Sequence, residues 1–175
     1  MENNPNLIHY QSLKEIQSIE KLVVECLTII KDNEKRILFL KKNILEKEEE
    51  LAEFTTELKS VSENLILENK TNLNLNNEII QTKKNYHEIK SDSQLRSYEE
   101  QLKSLALKKE ASDENLFNLL ISEDELKNNI SSHQNFLQGA KKSFLQIEDE
   151  VKSFIKIQED KIFSYNLRIT LIKDT

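Results

Sequence analysis

The stretch that decides the fold is residues 16–65, which read IQSIEKLVVECLTIIKDNEKRILFLKKNILEKEEELAEFTTELKSVSENL. Every seventh residue in it is apolar, and the same column continues to residue 86 with one polar member. The column is Ile16, Val23, Ile30, Ile37, Ile44, Leu51, Leu58, Leu65, Asn72, Ile79 and Tyr86. An apolar repeat of seven residues is typical of a helix that packs along a seam on another helix. The sequence therefore predicts a coiled coil.

A companion column lies three residues further along and completes the seam of this first helix. It consists of Ile19, Cys26, Asn33, Leu40, Lys47, Phe54, Val61, Glu68, Leu75 and Thr82. Six of these ten residues are apolar or cysteine, so we expect a seam with several polar positions. We expect the helix to open at Asn4-Pro5, because proline fits the first turn of a helix.

The pattern stops at Ser91-Asp92-Ser93 and a second one follows. Ser91 and Gln94 have the spacing of a capping box, which predicts a new helix start. The two new columns are Leu95, Leu102, Lys109, Leu116, Glu123, Ile130, Leu137, Phe144, Val151, Gln158, Tyr165 and Ile172, and Tyr98, Leu105, Ser112, Leu119, Leu126, His133, Ala140, Ile147 and Phe154. Near the end the stripe drifts onto Ile155, Ile162 and Ile169, as straight helices do against a seven-residue repeat.

Two nearly equal arms about a short turn predict an all-α fold, a long antiparallel two-helix coiled-coil hairpin. We expect one hairpin over residues 1–175, with arms at about 7–90 and 94–173 and a turn at about 91–93. If Asp92 is the pivot, the numbers of facing residues add to 184. This register pairs Tyr86 with Tyr98, Leu65 with Leu119, Ile30 with Phe154 and Asn72 with Ser112. Toward the open end it sets Val23 against Lys161, a mismatch that the drift onto Ile162 would repair.

Composition supports a fold with few turns. The chain has 175 residues, one glycine, one proline and no tryptophan, and turns need residues that tolerate special backbone angles. The single glycine, Gly139, either breaks the second helix or is tolerated where the arms approach closely near Ile44, and we favour the second interpretation.

Charge and hydropathy exclude several classes of function. The net charge is −6 and no polybasic segment occurs, which disfavours binding to nucleic acid or to anionic membrane. No apolar run approaches the ~20 residues of a membrane span, and the start of the chain does not read as a signal peptide. We therefore expect a cytoplasmic protein.

The chain offers little catalytic chemistry. His9, His87 and His133 are far apart and lack zinc-type spacing; we interpret His133, opposite Leu51, as a structural histidine. Cys26 is interpreted as a small buried hydrophobe, with a redox or interchain role as the alternative. The rest of the shaft is rich in Glu, Lys and Asn and is interpreted as solvated surface. This includes three acidic clusters, at residues 48–50, 123–125 and 148–150, and four lysine pairs, at 41–42, 83–84, 108–109 and 141–142. We expect no enzyme activity, no cofactor, no metal site and no small-molecule substrate.

The turn region differs from the repeating shaft. We define the turn cluster as Lys83, Lys84, Tyr86, His87, Lys90, Arg96 and Tyr98. Tyrosine and arginine are favoured anchors in protein interfaces, so this cluster is the candidate partner-binding site. In the alternative interpretation, Tyr86 and Tyr98 close the last layer of the seam and the cations are ordinary surface.

Residues 88–100, EIKSDSQLRSYEE, resemble the turn segment of a bacterial family that joins an N-terminal helical hairpin to a C-terminal zinc ribbon with four cysteines. Members of that family are linked to flagellar biogenesis and type III secretion, and are associated with the secretion apparatus and with an alternative sigma factor. No cysteine follows Cys26 here, so the ribbon is absent from this sequence, either because this is a hairpin-only fragment or because the ribbon was lost.

The resemblance implies an adaptor or chaperone-like hairpin that binds a secretion-apparatus component or an alternative sigma factor. The competing hypothesis is a purely structural coiled coil, a spacer that self-associates as a homo-oligomer. The first predicts that changes in the turn cluster abolish a partner interaction, and the second predicts assembly through the outer faces.

Overall fold

The computed structural model describes residues 5–174 and is built from two long helices. Helix α1 spans Pro5–Lys84 and helix α2 spans Asp92–Lys173, with a short 3-10 helix, Asn85–Glu88, after α1. The protein is an all-α helical hairpin, as the seven-residue repeat predicts. Of the predicted opening at Asn4-Pro5, Asn4 lies outside the described residues, and the first described residue, Pro5, is already helical.

The turn between the helices begins earlier than the sequence predicts. Helix α1 ends at Lys84 rather than near Lys90, because the chain tightens into the 3-10 helix. Ile89 then takes an extended conformation, with φ −74° and ψ 122°, and its N–H donates to the Tyr86 carbonyl at 3.3 Å. The non-helical residues are therefore 89–91, beside the predicted pivot at Asp92.

A side-chain cap starts α2 where the sequence predicts one. The backbone N–H of Gln94 donates to Ser91 Oγ at 3.2 Å. In return, Gln94 Oε1 accepts a hydrogen bond from the backbone N–H of Lys90 at 2.8 Å. This is the reciprocal arrangement of a capping box, except that the glutamine reaches one residue further back. Both ends of the 89–91 segment are thus held by hydrogen bonds.

The predicted columns form the seam between the helices. From Ile16 to Thr82, every residue on the two α1 columns is buried or half-buried, and nearly all other α1 residues are exposed. The buried apolar residues come from both helices: Ile19, Cys26, Leu65, Leu105, Leu126, Leu137, Val151 and Ile169. The seam also buries polar side chains, namely Thr82, Ser112 and Gln158. Polar layers therefore interrupt the apolar contacts of the seam.

The chain divides into two compact units. The turn unit comprises residues 48–135, and the open-end unit comprises residues 1–47 with 136–175. In the turn unit, the predicted register is found at two layers. Asn72 Nδ2 donates to Ser112 Oγ at 3.1 Å, and the Tyr86 and Tyr98 rings lie 5.6 Å apart. One continuous hairpin domain over residues 1–175 stays a prediction.

In the open-end unit, the α2 stripe shifts by one residue after Val151. Ile155 is half-buried, whereas Phe154 is 42% exposed. The predicted pairing of Ile30 with Phe154 is therefore wrong. Seam residues usually follow one another at alternating intervals of three and four residues. Here two intervals of four residues come in succession, 147–151 and 151–155. This irregularity, called a stutter, lets a straight helix stay on the seam. As a result Ile162 is half-buried and Lys161 is exposed, as the predicted repair requires.

Gly139 leaves α2 unbroken, since the helix runs without interruption from Asp92 to Lys173. A Cβ added at Gly139 would meet nothing within 4 Å. The favoured interpretation, a glycine tolerated within the helix, is therefore confirmed, although no close approach of the arms requires a glycine at this position. The neighbouring Ala140 is the half-buried residue, and it lines a groove together with Ile44.

Candidate functional site at the turn

The turn cluster is distributed over every element of the turn. Lys83 and Lys84 form the last turn of α1, while Tyr86 and His87 belong to the 3-10 helix. Lys90 lies in the segment before α2, and Arg96 and Tyr98 lie in the first two turns of α2. All are exposed except Tyr98, which is half-buried.

The aromatic members of the cluster contact one another. The Tyr86 ring lies 5.6 Å from the Tyr98 ring with an interplanar angle of 56°, and 6.2 Å from the His87 ring. Such separations are typical of favourable aromatic pairs. Tyr98 occupies a seam position, whereas Tyr86 remains 54% exposed. Tyr98 thus closes the last layer, and Tyr86 covers it while presenting about half of its surface to solvent.

A shallow cleft lies beside these rings. From the turn cluster it includes Tyr86, His87 and Lys90, and its remaining lining residues are Ile89, Ser91, Asp92 and Leu95. Ile89 and Leu95 were not expected as site residues. The sequence did carry a signal for Ile89, which lies seven residues after Thr82 and so continues the companion column into the turn. Lys83, Lys84, Arg96 and Tyr98 do not line the cleft.

The cations of the turn are balanced by carboxylates. Residues 83–100 contain the four cations Lys83, Lys84, Lys90 and Arg96 and the four carboxylates Glu88, Asp92, Glu99 and Glu100. A general positive field therefore does not distinguish this surface. What distinguishes it is an exposed aromatic ring beside a shallow apolar and polar cleft, on a backbone fixed by a side-chain cap.

A polar layer crosses the seam of the turn unit at Ser112, which is only 3% exposed. Ser112 Oγ donates to Glu68 Oε1 at 2.5 Å and accepts from Asn72 Nδ2 at 3.1 Å. Asn72 Nδ2 also donates to Asp113 Oδ1 at 2.7 Å. Hydrogen bonds from Lys109 and then Asn72 hold the pKa of Asp113 below its ordinary value. This layer satisfies its polar groups within the hairpin, so it is a structural feature.

His133 is half-buried and contacts both helices, as expected of a histidine in the seam. Its Nε2 lies 3.0 Å from Glu50 Oε2, and its Nδ1 lies 3.0 Å from the Asn129 carbonyl oxygen. The ring meets Phe54 edge-on, with centroids 5.0 Å apart. Among the described residues, 5–174, no group of three or more His, Cys, Asp or Glu side chains is arranged to hold a metal ion.

The acidic clusters contribute contacts that sequence analysis missed. One carboxylate from each cluster reaches the other helix, where Glu50 meets His133, Glu123 accepts from Ser62 and Glu148 pairs with Lys41. The interpretation of these clusters as solvated surface is therefore wrong for these three side chains.

The outer surface of both helices is more apolar than the sequence analysis expects. Large apolar side chains stand outside the seam, several of them more than 60% exposed: Val24, Leu38, Phe39, Ile66, Leu67, Leu73, Phe117, Leu145, Phe163 and Leu171. Exposed apolar surface in quantity marks interaction sites. In residues 5–174, no helix has the length and apolar character that crossing a bilayer requires.

Two solved structures share this fold. The protein resembles CT398 from Chlamydia trachomatis, with a TM-score of 0.72 and 14% sequence identity over 97% of this chain and 72% of that one. It also resembles HP0958 from Helicobacter pylori CCUG 17874, with a TM-score of 0.72 and 16% identity over 95% of this chain and 70% of that one. No protein-family model matches the sequence, and no curated protein matches it. At these identities the likeness concerns the fold.

Proposed function

We propose that the protein is a non-enzymatic cytoplasmic adaptor, chaperone-like in action, which binds partner proteins of flagellar or type III secretion or of its regulation. The observation that carries this proposal is Tyr86, which is 54% exposed although it contacts Tyr98 and His87. An aromatic side chain that is held in place yet half open to solvent is suited to anchoring a partner, because little conformational freedom remains to be lost on binding.

The rigidity of the surrounding backbone supports the same proposal. The cap on α2 and the Ile89–Tyr86 hydrogen bond fix both sides of the 89–91 segment. A site of this kind binds without first ordering a loop, so more of the contact energy remains available for affinity. The balanced charges of the turn favour recognition by shape and by individual ion pairs over long-range attraction.

The choice of partner class rests on the resemblance of residues 88–100 to the turn of the hairpin and zinc-ribbon family. That resemblance suggests an export-apparatus component or an alternative sigma factor. The likeness to CT398 and HP0958 is in keeping with a hairpin scaffold in bacteria, and the partner is our proposal.

A binding measurement on the whole protein tests this function. The alternative sigma factor and the soluble export components of the same organism are titrated against the wild-type chain and against Tyr86→Ala by isothermal calorimetry. We expect one of them to bind the wild type and to bind Tyr86→Ala at least tenfold more weakly, the usual loss at an interface anchor.

The matched control is Phe163→Ala, which removes another exposed aromatic side chain, in the open-end unit. It should leave that affinity unchanged, and circular dichroism should show equal helicity in both variants. Binding that survives Tyr86→Ala but is lost with Phe163→Ala would overturn the assignment of the site to the turn.

The competing function, a structural coiled coil that self-associates, is favoured by a different observation, namely the exposed apolar side chains outside the seam. It predicts that none of these candidate partners binds the wild-type chain. The protein would then assemble only with itself, in a way that depends on concentration and is indifferent to Tyr86→Ala.

A further inference from the structure

Helix α1 carries a second seven-residue pattern on its outside. Within the open-end unit, Tyr10, Val24 and Leu38 lie fourteen residues apart and are 58%, 61% and 66% exposed. Leu13 and Leu27 follow three residues after the first two, and each is 52% exposed. Spacings of three, four and seven residues return to the same face of a helix. These side chains form an apolar stripe that the hairpin leaves in solvent.

Polar residues fill the remaining places of this stripe. Gln17 and Lys31 occupy the seven-residue positions between Tyr10, Val24 and Leu38, and the companion positions hold Glu20, Glu34 and Lys41. All five polar residues are exposed. The stripe therefore reads as a complete coiled-coil seam of ten positions over residues 10–41. Apolar pairs alternate with polar or charged pairs as far as Glu34, and the last pair, Leu38 and Lys41, has one member of each kind.

We propose that this stripe is the docking seam for α1 of a second copy of the chain, in antiparallel orientation. The register is the one in which the numbers of facing residues add to 51. The facing pairs are then Tyr10 with Lys41, Leu13 with Leu38, Gln17 with Glu34, Glu20 with Lys31, and Val24 with Leu27. Leu13 meets Leu38 and Val24 meets Leu27, so four of the five apolar residues meet apolar ones, and each inner carboxylate meets a cation or an amide. The fifth, Tyr10, meets Lys41 at the edge of the seam, and Lys41 also pairs with Glu148 within the hairpin. Because each pair occurs twice about a two-fold axis, the surface is self-complementary.

Neighbouring registers lose this complementarity. A shift of one repeat to a total of 58 sets Glu20 against Leu38 and Val24 against Glu34. A shift to 44 sets Leu13 against Lys31 and Val24 against Glu20. Each would bury a charge against an apolar side chain, which is unfavourable.

The parallel arrangement is excluded by like charges. In a parallel pair in register, Lys31 would face Lys31 of the other copy, and both Glu20 and Glu34 would face their own equivalents. Like charges across a coiled-coil seam select against that partner orientation. The antiparallel register also repeats the rule of the hairpin seam, in which a residue of one column faces a residue of the companion column, as Asn72 faces Ser112.

Charge reversal tests the pairing of Glu20 with Lys31. The full chain is measured by sedimentation equilibrium from about 1 to 500 µM. We expect the wild type to approach twice its monomer mass of 20.6 kDa as concentration rises. Glu20→Lys alone and Lys31→Glu alone should each weaken association at least tenfold, and the double variant should restore it. The matched control is Glu25→Lys. Glu25 is an exposed glutamate five residues after Glu20, on another face of α1, and this variant should associate like the wild type.

A monomeric wild type over the whole range would overturn the proposal, and so would single reversals that leave association unchanged or a double variant that fails to restore it.

Crosslinking then tests the relative orientation of the two α1 helices. In a Cys26→Ala background, Val24→Cys protein is mixed with Leu27→Cys protein and oxidised. We expect the mixed disulfide to form faster than either same-variant disulfide, because residues 24 and 27 face each other. A faster link between two copies of Val24→Cys would show a parallel or shifted pair.

Discussion

Asn72 lies directly opposite Ser112, and its amide Nδ2 donates a hydrogen bond to the serine Oγ at 3.1 Å. These two residues are 40 positions apart in the chain, and they are polar members of columns that are otherwise largely apolar. A polar layer that meets a polar layer stabilises one register over its neighbours, because a shift would set each polar group against an apolar one. The pair therefore fixes how α1 and α2 align in the turn unit.

Loss of the Asn72 side chain should destabilise the hairpin. Asn72→Ala leaves Ser112 without one of its two partners in a buried position, and we expect a loss of about 1–3 kcal/mol in the free energy of unfolding. The control is Asn74→Ala at an exposed position of the same helix. This variant gains the same helix propensity but removes no side chain from the polar layer. Urea unfolding of both variants gives the difference, and equal midpoints would show that the layer contributes nothing.

Replacing the glycine of α2 should stabilise the protein. Gly139 lies within a helix, and an added Cβ meets nothing within 4 Å, so Gly139→Ala should raise the free energy of unfolding by about 1 kcal/mol. Ala140→Gly makes the reverse change at the half-buried neighbour and should lower it by at least as much. Thermal melts of the two variants check both signs. A lower melting temperature for Gly139→Ala would show strain that the helix geometry does not contain.

The Asp113 carboxylate should make stability depend on pH in the acid range. Hydrogen bonds from Lys109 and Asn72 lower its pKa in the folded state, so its contribution is fully present above the ordinary pKa of an aspartate. That contribution is lost as the pH falls through the lowered value, where the folded carboxyl group also becomes protonated. We expect Asp113→Asn to reduce the acid-side slope of stability against pH. Asp124→Asn, at an exposed position, serves as the control and should leave the slope closer to that of the wild type.

Removal of two cations at the turn should weaken a partner interaction without affecting folding. Lys90 and Arg96 have exposed side chains, and the hydrogen bond that Lys90 makes to Gln94 comes from its backbone. The double variant Lys90→Ala with Arg96→Ala should keep the melting temperature of the wild type. It should bind the secretion partner more weakly, by a few kcal/mol at most. If it binds like the wild type while changes on the outer face of residues 100–130 block binding, the site lies on the shaft instead.

The parts of the fold that periodicity sets were predictable, because the buried residues of a two-helix seam recur at alternating intervals of three and four residues. This is why the Asn72–Ser112 layer and the cap at Ser91 could be expected from the sequence. The end of α1 at Lys84 could not, since residues 85–88 contain neither glycine nor proline to mark the end of a helix, and the 3-10 geometry arises from closing the turn. The stutter after Val151 was visible only as a drift toward Ile155. The outer column from Tyr10 was present in the sequence and was overlooked, because the stronger inner columns lie beside it. Within the candidate site, the exposure of Tyr86 and the cleft depend on backbone geometry that no spacing encodes.

The single thiol of the protein, Cys26, is only 6% exposed and lies in the seam of the open-end unit. A water-soluble thiol reagent can reach it only when the two helices separate locally, so its labelling rate reports how often that part of the hairpin opens. Cys26 is thus a natural probe of local opening of the helix pair, and its labelling rate can be measured by mass spectrometry without introducing another cysteine. Docking of a second copy on the outer stripe of α1 would lower the labelling rate of Cys26, because a helix held by a second partner separates from α2 less often.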